Sequence, residues 1–85
     1  MKNKILVHIS VPEIGEEFDL FVPINKRIGN VLILINKAIN ELTNGALSIS
    51  TTNCLFNSFT GEKYLYNSLV IDTNIRNGTK LVLLT

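Results

Sequence analysis

The sequence predicts an α+β roll in which a mixed four- to five-stranded sheet packs on one long helix. Three observations predict it. Two alternating apolar runs lie close together near the N-terminus, a helical apolar period extends from Lys26 to Leu42, and a last apolar run, Lys80 to Leu84, follows Asn77-Gly78. With 85 residues the chain suits one domain, 1–85, near the lower size at which a single core outweighs chain entropy. Hydrophobic residues make up 46% of it, aromatics only 7%, and Trp is absent, so the core must be built from Ile, Leu and Val.

Ile5, Val7, Ile9 and Val11 alternate with Lys4, Leu6, His8 and Ser10, the period of a strand with one face in a core. Pro12 ends that strand, and Glu13, Gly15 and Glu16 supply turn chemistry. Phe18, Leu20 and Val22 then alternate with Asp19, Phe21 and Pro23, completing a hairpin. Beyond Lys26, residues Ile28, Val31, Leu32, Ile35, Ala38, Ile39 and Leu42 fall within about 60° of one line on a helical wheel, the stripe of an amphipathic helix covering the hairpin. It starts either with Asn25 as its N-cap or at Ile28, and it stops at Thr43-Asn44-Gly45, where Gly can take positive φ.

The second half has blurred alternation. Ile49 to Phe59, rich in Thr, Ser, Phe and Ile, fits one or two strands without a fixed register. Thr60-Gly61-Glu62-Lys63 reads as a turn, Tyr64-Leu65-Tyr66 as a short edge strand, and Leu69 to Ile75 as a short helical or irregular connection. Hairpin, helix, strand or strands, connection and final strand is the order of a β-grasp, in which the last strand lies beside the first at the sheet centre. Ferredoxin-like and other small α+β rolls stay open as alternatives.

Charge and composition exclude several function classes. Eight basic against seven acidic residues give +1, and the longest basic cluster is Lys26-Arg27, so neither a nucleic-acid footprint nor an anionic-membrane patch is expected. The N-terminal apolar run is broken by His8 and Ser10, ends at Pro12 and lacks a signal-peptide cleavage site. No segment reaches the roughly 18 to 20 apolar residues of a membrane span. The lone Cys54 suits a reducing compartment, and a soluble, cytoplasmic protein is expected.

Catalytic chemistry finds little to work with. His8 is the only histidine and Cys54 the only cysteine, so multi-His and Cys-rich zinc sites cannot form. His8 and Cys54 could make a thiolate pair only if their strands lie close. The hairpin instead points His8 away from the face of Ile5, Val7 and Ile9, and Cys54 is expected to pack as a small hydrophobe. Glu16 and Glu17 fall in the hairpin turn, where nothing would bury one of them to raise its pKa. The glycines are scattered, with no phosphate-cradling spacing. No enzyme activity and no cofactor are expected.

The stretch Val22-Pro23-Ile24-Asn25-Lys26-Arg27-Ile28-Gly29-Asn30-Val31-Leu32-Ile33-Leu34-Ile35 resembles the strand-to-helix passage of ubiquitin. The run Asp72-Thr73-Asn74-Ile75-Arg76-Asn77-Gly78-Thr79-Lys80-Leu81-Val82-Leu83-Leu84 is similar to the close of the YukD and EsaB family of small bacterial ubiquitin-like proteins. The resemblance implies a ubiquitin-like β-grasp. It implies also a cytosolic accessory component of a type VII, WXG100-type, secretion system, acting through non-covalent contacts with protein partners, among them membrane components of that machine.

Protein tagging and sulfur carriage run through a flexible C-terminal Gly-Gly, whereas this sequence ends Leu83-Leu84-Thr85. A chain complete at Thr85 is expected not to be conjugated. What remains is surface. By alternation Leu6 and His8, Phe21, and Val82 and Leu84 point away from the helix, with Leu55 joining them if Cys54 and Phe56 are core. The resemblance implies that this face carries the patch partners read. Ile33 and Leu34, outward on the helix, form a secondary surface for a self-associating module or weak homodimer. A further alternative is a relative of sulfur-carrier proteins that has lost its tail.

Overall fold

The N-terminal alternation becomes a hairpin of two eight-residue strands, β1 (Lys4–Val11) and β2 (Glu16–Pro23), in a computed structural model that describes residues 3–47 and 53–84. The Ile14 and Gly15 amides donate to the Val11 and Pro12 carbonyls (both 3.2 Å), and Gly15 supplies the positive φ, +65°, that closes the turn. β2 begins at Glu16, so Glu16 and Glu17 belong to the strand and not to the turn.

The helix, α1, spans Ile28–Leu42, which settles its start at Ile28. Arg27 at the N-cap makes no side-chain capping bond. Carbonyls from a distant loop do that work: the Ile28 amide donates to Ser68 O (2.8 Å) and the Gly29 amide to Tyr66 O (3.0 Å). A Cβ on Gly29 would sit 3.4 Å from that Tyr66 oxygen, at van der Waals contact. The stop lies where expected, with Asn44 and Gly45 both at positive φ and the Gly45 amide donating to Asn40 O (2.8 Å).

β3 is Cys54–Asn57 and β4 is Lys80–Leu84. The sheet order is β2-β1-β4-β3, with β4 parallel to β1 and the other pairs antiparallel. The last strand therefore lies beside the first at the centre of a mixed sheet, the β-grasp arrangement. Asn77 and Gly78 prepare that pairing, because Asn77 Oδ1 accepts from the Leu6 amide (2.8 Å) and the Gly78 amide donates to Leu6 O (2.7 Å). Val7, Ile9 and Val11 of β1, Leu81 and Leu83 of β4, and Ile35 of α1 are buried in one core.

Three further expectations are corrected. Tyr64-Leu65-Tyr66 is not a strand: its backbone meets β3 through the Tyr64 amide, which donates to Leu55 O (2.9 Å), beside a single bridge between Phe56 and Lys63. Among the described residues the sheet thus has four strands. Leu42, on the core stripe by periodicity, is 63% exposed. Most consequential is β3, where Leu55 points inward and Cys54 and Phe56 outward. The Ile49 to Phe59 reading also included residues 49–52, which lie outside the described residues. Leu69 to Ile75 contains a short 3-10 turn at Val70–Asp72, as its reading allowed.

Candidate functional site

Registers fix what the outer sheet face presents, since residues directly opposite one another share a face. Leu6 lies opposite Phe21, and His8 lies between Asp19 on β2 and Lys80 on β4. Ser10 lies between Glu17 and Val82, Val82 opposite Phe56, and Leu84 opposite Cys54. The bridge sets Lys63 beside Phe56.

This map groups the expected residues unequally. Val82 and Leu84 share one corner with Phe56 and Cys54. The same corner holds Tyr66, whose hydroxyl donates to Asn53 O (2.6 Å) and lies 3.7 Å from Cys54 Sγ. Lys63 and Lys80 flank the corner. Leu6 and Phe21 make a second apolar pair at the other end of β1, separated from the corner by the polar row of His8, Asp19 and Lys80. Leu55 is 0% exposed, opposite Leu83 in the core, and cannot meet a partner. Ile33 and Leu34 are exposed on α1, in the helical layer behind the sheet.

Phe56, Cys54 and Tyr66 were not expected on this face, nor was Cys54 expected outside the core. The inward positions of the segment are Asn53, Leu55 and Asn57, two of them polar. The outward ones are Cys54 and Phe56, so local hydrophobicity runs opposite to burial. The buried asparagines are satisfied, Asn53 by Asn36 of α1 and Asn57 by the Tyr64 hydroxyl (3.0 Å).

His8 is held from two sides. Its Nε2 lies 2.5 Å from Glu17 Oε1 and its Nδ1 2.7 Å from Asp19 Oδ1. With a carboxylate at each ring nitrogen, the imidazolium is the form that donates to both. The hydrogen bond to Glu17, then that to Asp19, raises the His8 pKa above its ordinary value of 6.5. A raised folded-state pKa means the clamp's stabilisation is complete below 6.5 and is lost as pH climbs through the raised value. Thermal melting measured from about pH 5.5 to about 9 is therefore expected to show a decline for wild type on the alkaline side of 6.5 that His8→Gln lacks. Parallel profiles would remove the clamp from the account. His8 and Cys54 do not meet: β4 separates their strands, and they face it at Lys80 and Leu84 respectively.

Among the described residues, no cluster of three or more His, Cys, Asp or Glu side chains is placed to hold a metal ion, and no helix is long and apolar enough to cross a membrane.

No protein-family profile and no curated protein matches the sequence. Solved structures do match the fold. The ubiquitin-like domain of the Mycobacterium tuberculosis type VII secretion system protein ECCD1 superposes with a TM-score of 0.72 at 13% identity, over 96% of this chain and 98% of that one. The ubiquitin-like domain of an Arabidopsis thaliana protein superposes with a TM-score of 0.65 at 15% identity, over 96% and 77%. The fold is ubiquitin-like. A chain of a MycP5-free ESX-5 inner membrane complex contains the same ubiquitin-like fold, with a TM-score of 0.69 at 16% identity over 96% of this chain and 21% of that much longer one.

Proposed function

We propose that this ubiquitin-like domain is a non-covalent protein-interaction module, and that it serves a type VII secretion machine as a cytoplasmic accessory component. The observation that carries the interaction reading is the outer-face corner of Val82, Leu84, Phe56 and Cys54, an apolar surface rimmed by Lys63 and Lys80 on a sheet whose other face packs on the core. Leu6, His8 and Phe21 form the outlying part of the same docking face. The secretion assignment is supported by the likeness of fold to the ECCD1 domain along nearly the whole of both chains, and to part of an ESX-5 inner membrane complex chain. Its partners would be the cytosolic portions of the machine's membrane proteins.

The corner supplies the chemistry of a protein hot spot, apolar side chains surrounded by charges that orient the encounter. Val82→Asp or Leu84→Asp is expected to weaken binding to those cytosolic domains by roughly 30-fold or more, read by titration calorimetry, with the wild-type circular dichroism spectrum retained. Unchanged affinity in both variants removes the corner from the reading.

A further inference from the structure

Among the described residues, β2 is an edge strand of the sheet with no strand paired on its far side. The Ile24 amide donates to Asn3 O (2.8 Å), while the Leu6 and His8 amides point the other way, to Asn77 Oδ1 and Thr79 O. With a period of two, the even-numbered residues of β2 turn their backbone groups toward β1. Glu17, Asp19 and Phe21 therefore present N–H and C=O to the open side. Pro23, which has no N–H, ends that row of donors.

Beside this edge runs a groove of about 50 Å³ between β2 and α1, lined by Leu20, Phe21, Val22, Leu34, Ile35 and Ala38. Leu34, Ala38 and Leu42 follow one another at four-residue steps along the helix flank, and Leu34 and Leu42 remain 49% and 63% exposed. That apolar row explains Leu42: it continues the core stripe to a place that, among the described residues, no strand beyond β2 covers. Successive members of the row are about 6 Å apart along the helix axis, close to the roughly 6.6 Å between alternate side chains of a strand.

We propose that the β2 edge and this groove take up an extended segment of a partner protein as a fifth strand, and that the segment alternates aliphatic with basic side chains. Aliphatic residues on its inner face would cover Leu34, Ala38 and Leu42. Its outer face would run beside Glu17 and Asp19, two carboxylates that share one imidazolium. Lysine or arginine at the intervening positions answers that charge. A second copy of β2 fits poorly, because it would set its own Glu17 and Asp19 along the same edge.

The test is a titration of the 15N-labelled protein with the acetylated peptide Lys-Val-Lys-Val-Lys-Val-Lys, compared with its Glu-Val counterpart and with a version N-methylated at alternate amides. The proposal expects shifts confined to residues 17–21 and 34–42 and slowed exchange of the Glu17, Asp19 and Phe21 amides. Affinity should be roughly tenfold or more weaker for both control peptides and for Leu34→Lys, an exposed position. Val82→Asp should leave peptide binding unchanged, which separates this surface from the outer-face corner. Equal binding of the Glu-Val or N-methylated peptide, shifts centred on β3, or no shifts at all would overturn it.

Discussion

Leu55→Asp is expected to unfold the domain, whereas Phe56→Asp, one residue along, leaves it folded. Leu55 is wholly buried, paired across β3 and β4 with Leu83, and packed in the same core as Ile9 and Ile35. Truncating such a leucine costs about 2–5 kcal/mol, and an unpaired buried carboxylate adds several more. A chain of this length has about 4–13 kcal/mol in total, so the two losses together exhaust it. Phe56 is half-buried on the outer face, where a carboxylate stays solvated and lies near Lys63. Circular dichroism melts decide the matter: no cooperative transition for Leu55→Asp, and a retained one for Phe56→Asp. The reverse outcome would mean that β3 is slipped by one residue, which exchanges its two faces.

Asn36→Ala is expected to lower the melting temperature by about 10 °C, for a loss of about 2 kcal/mol. Asn36 sits on α1 at 1% exposure, and its amide donates to Leu32 O (2.7 Å) and Asn53 Oδ1 (3.1 Å). The Asn53 amide returns a bond to Asn36 Oδ1 (2.6 Å). This reciprocal pair ties the helix flank to the start of β3, and the Tyr66 hydroxyl adds a bond to Asn53 O. Removing one amide strands the other in the core, which costs more than the bond itself contributes. The double variant Asn36→Leu with Asn53→Leu, which removes both polar groups at similar volume, is expected to recover most of the loss. If Asn36→Ala melts with wild type, the pair does not stabilise the fold.

The hairpin, the helix and the last strand were legible because their periods are clean. Val7, Ile9 and Val11 repeat every second residue, Ile28 to Ile39 follow a helical stripe, and Asn77-Gly78 marks the turn into β4. The register of β3 was not legible, because its inward positions carry Asn53 and Asn57, whose burial depends on side chains of other segments, Asn36 on the helix and Tyr64 beyond the turn at Gly61. The same inversion hid Phe56 and Cys54 from the candidate site and placed Leu55 there wrongly. The helix start was ambiguous for a similar reason, since its cap is the backbone of Tyr66 and Ser68 and not a local side chain. Leu42 obeys the helical period and is still exposed, because periodicity reports which way a side chain points and not whether another element reaches it. The His8 clamp needed β2 to begin at Glu16, which brings Glu17 and Asp19 to the imidazole.

The proposed role makes the outer-face corner the working surface of a protein-interaction module in type VII secretion. Backbone amide shifts of the 15N-labelled protein, titrated with the purified cytosolic domains of the machine's membrane proteins, test it most directly. The largest changes are expected to collect at Cys54, Phe56, Tyr66, Val82 and Leu84 while Ile33 stays unmoved. Changes centred on Ile33 and Leu34, or none at stoichiometric partner, would contradict it.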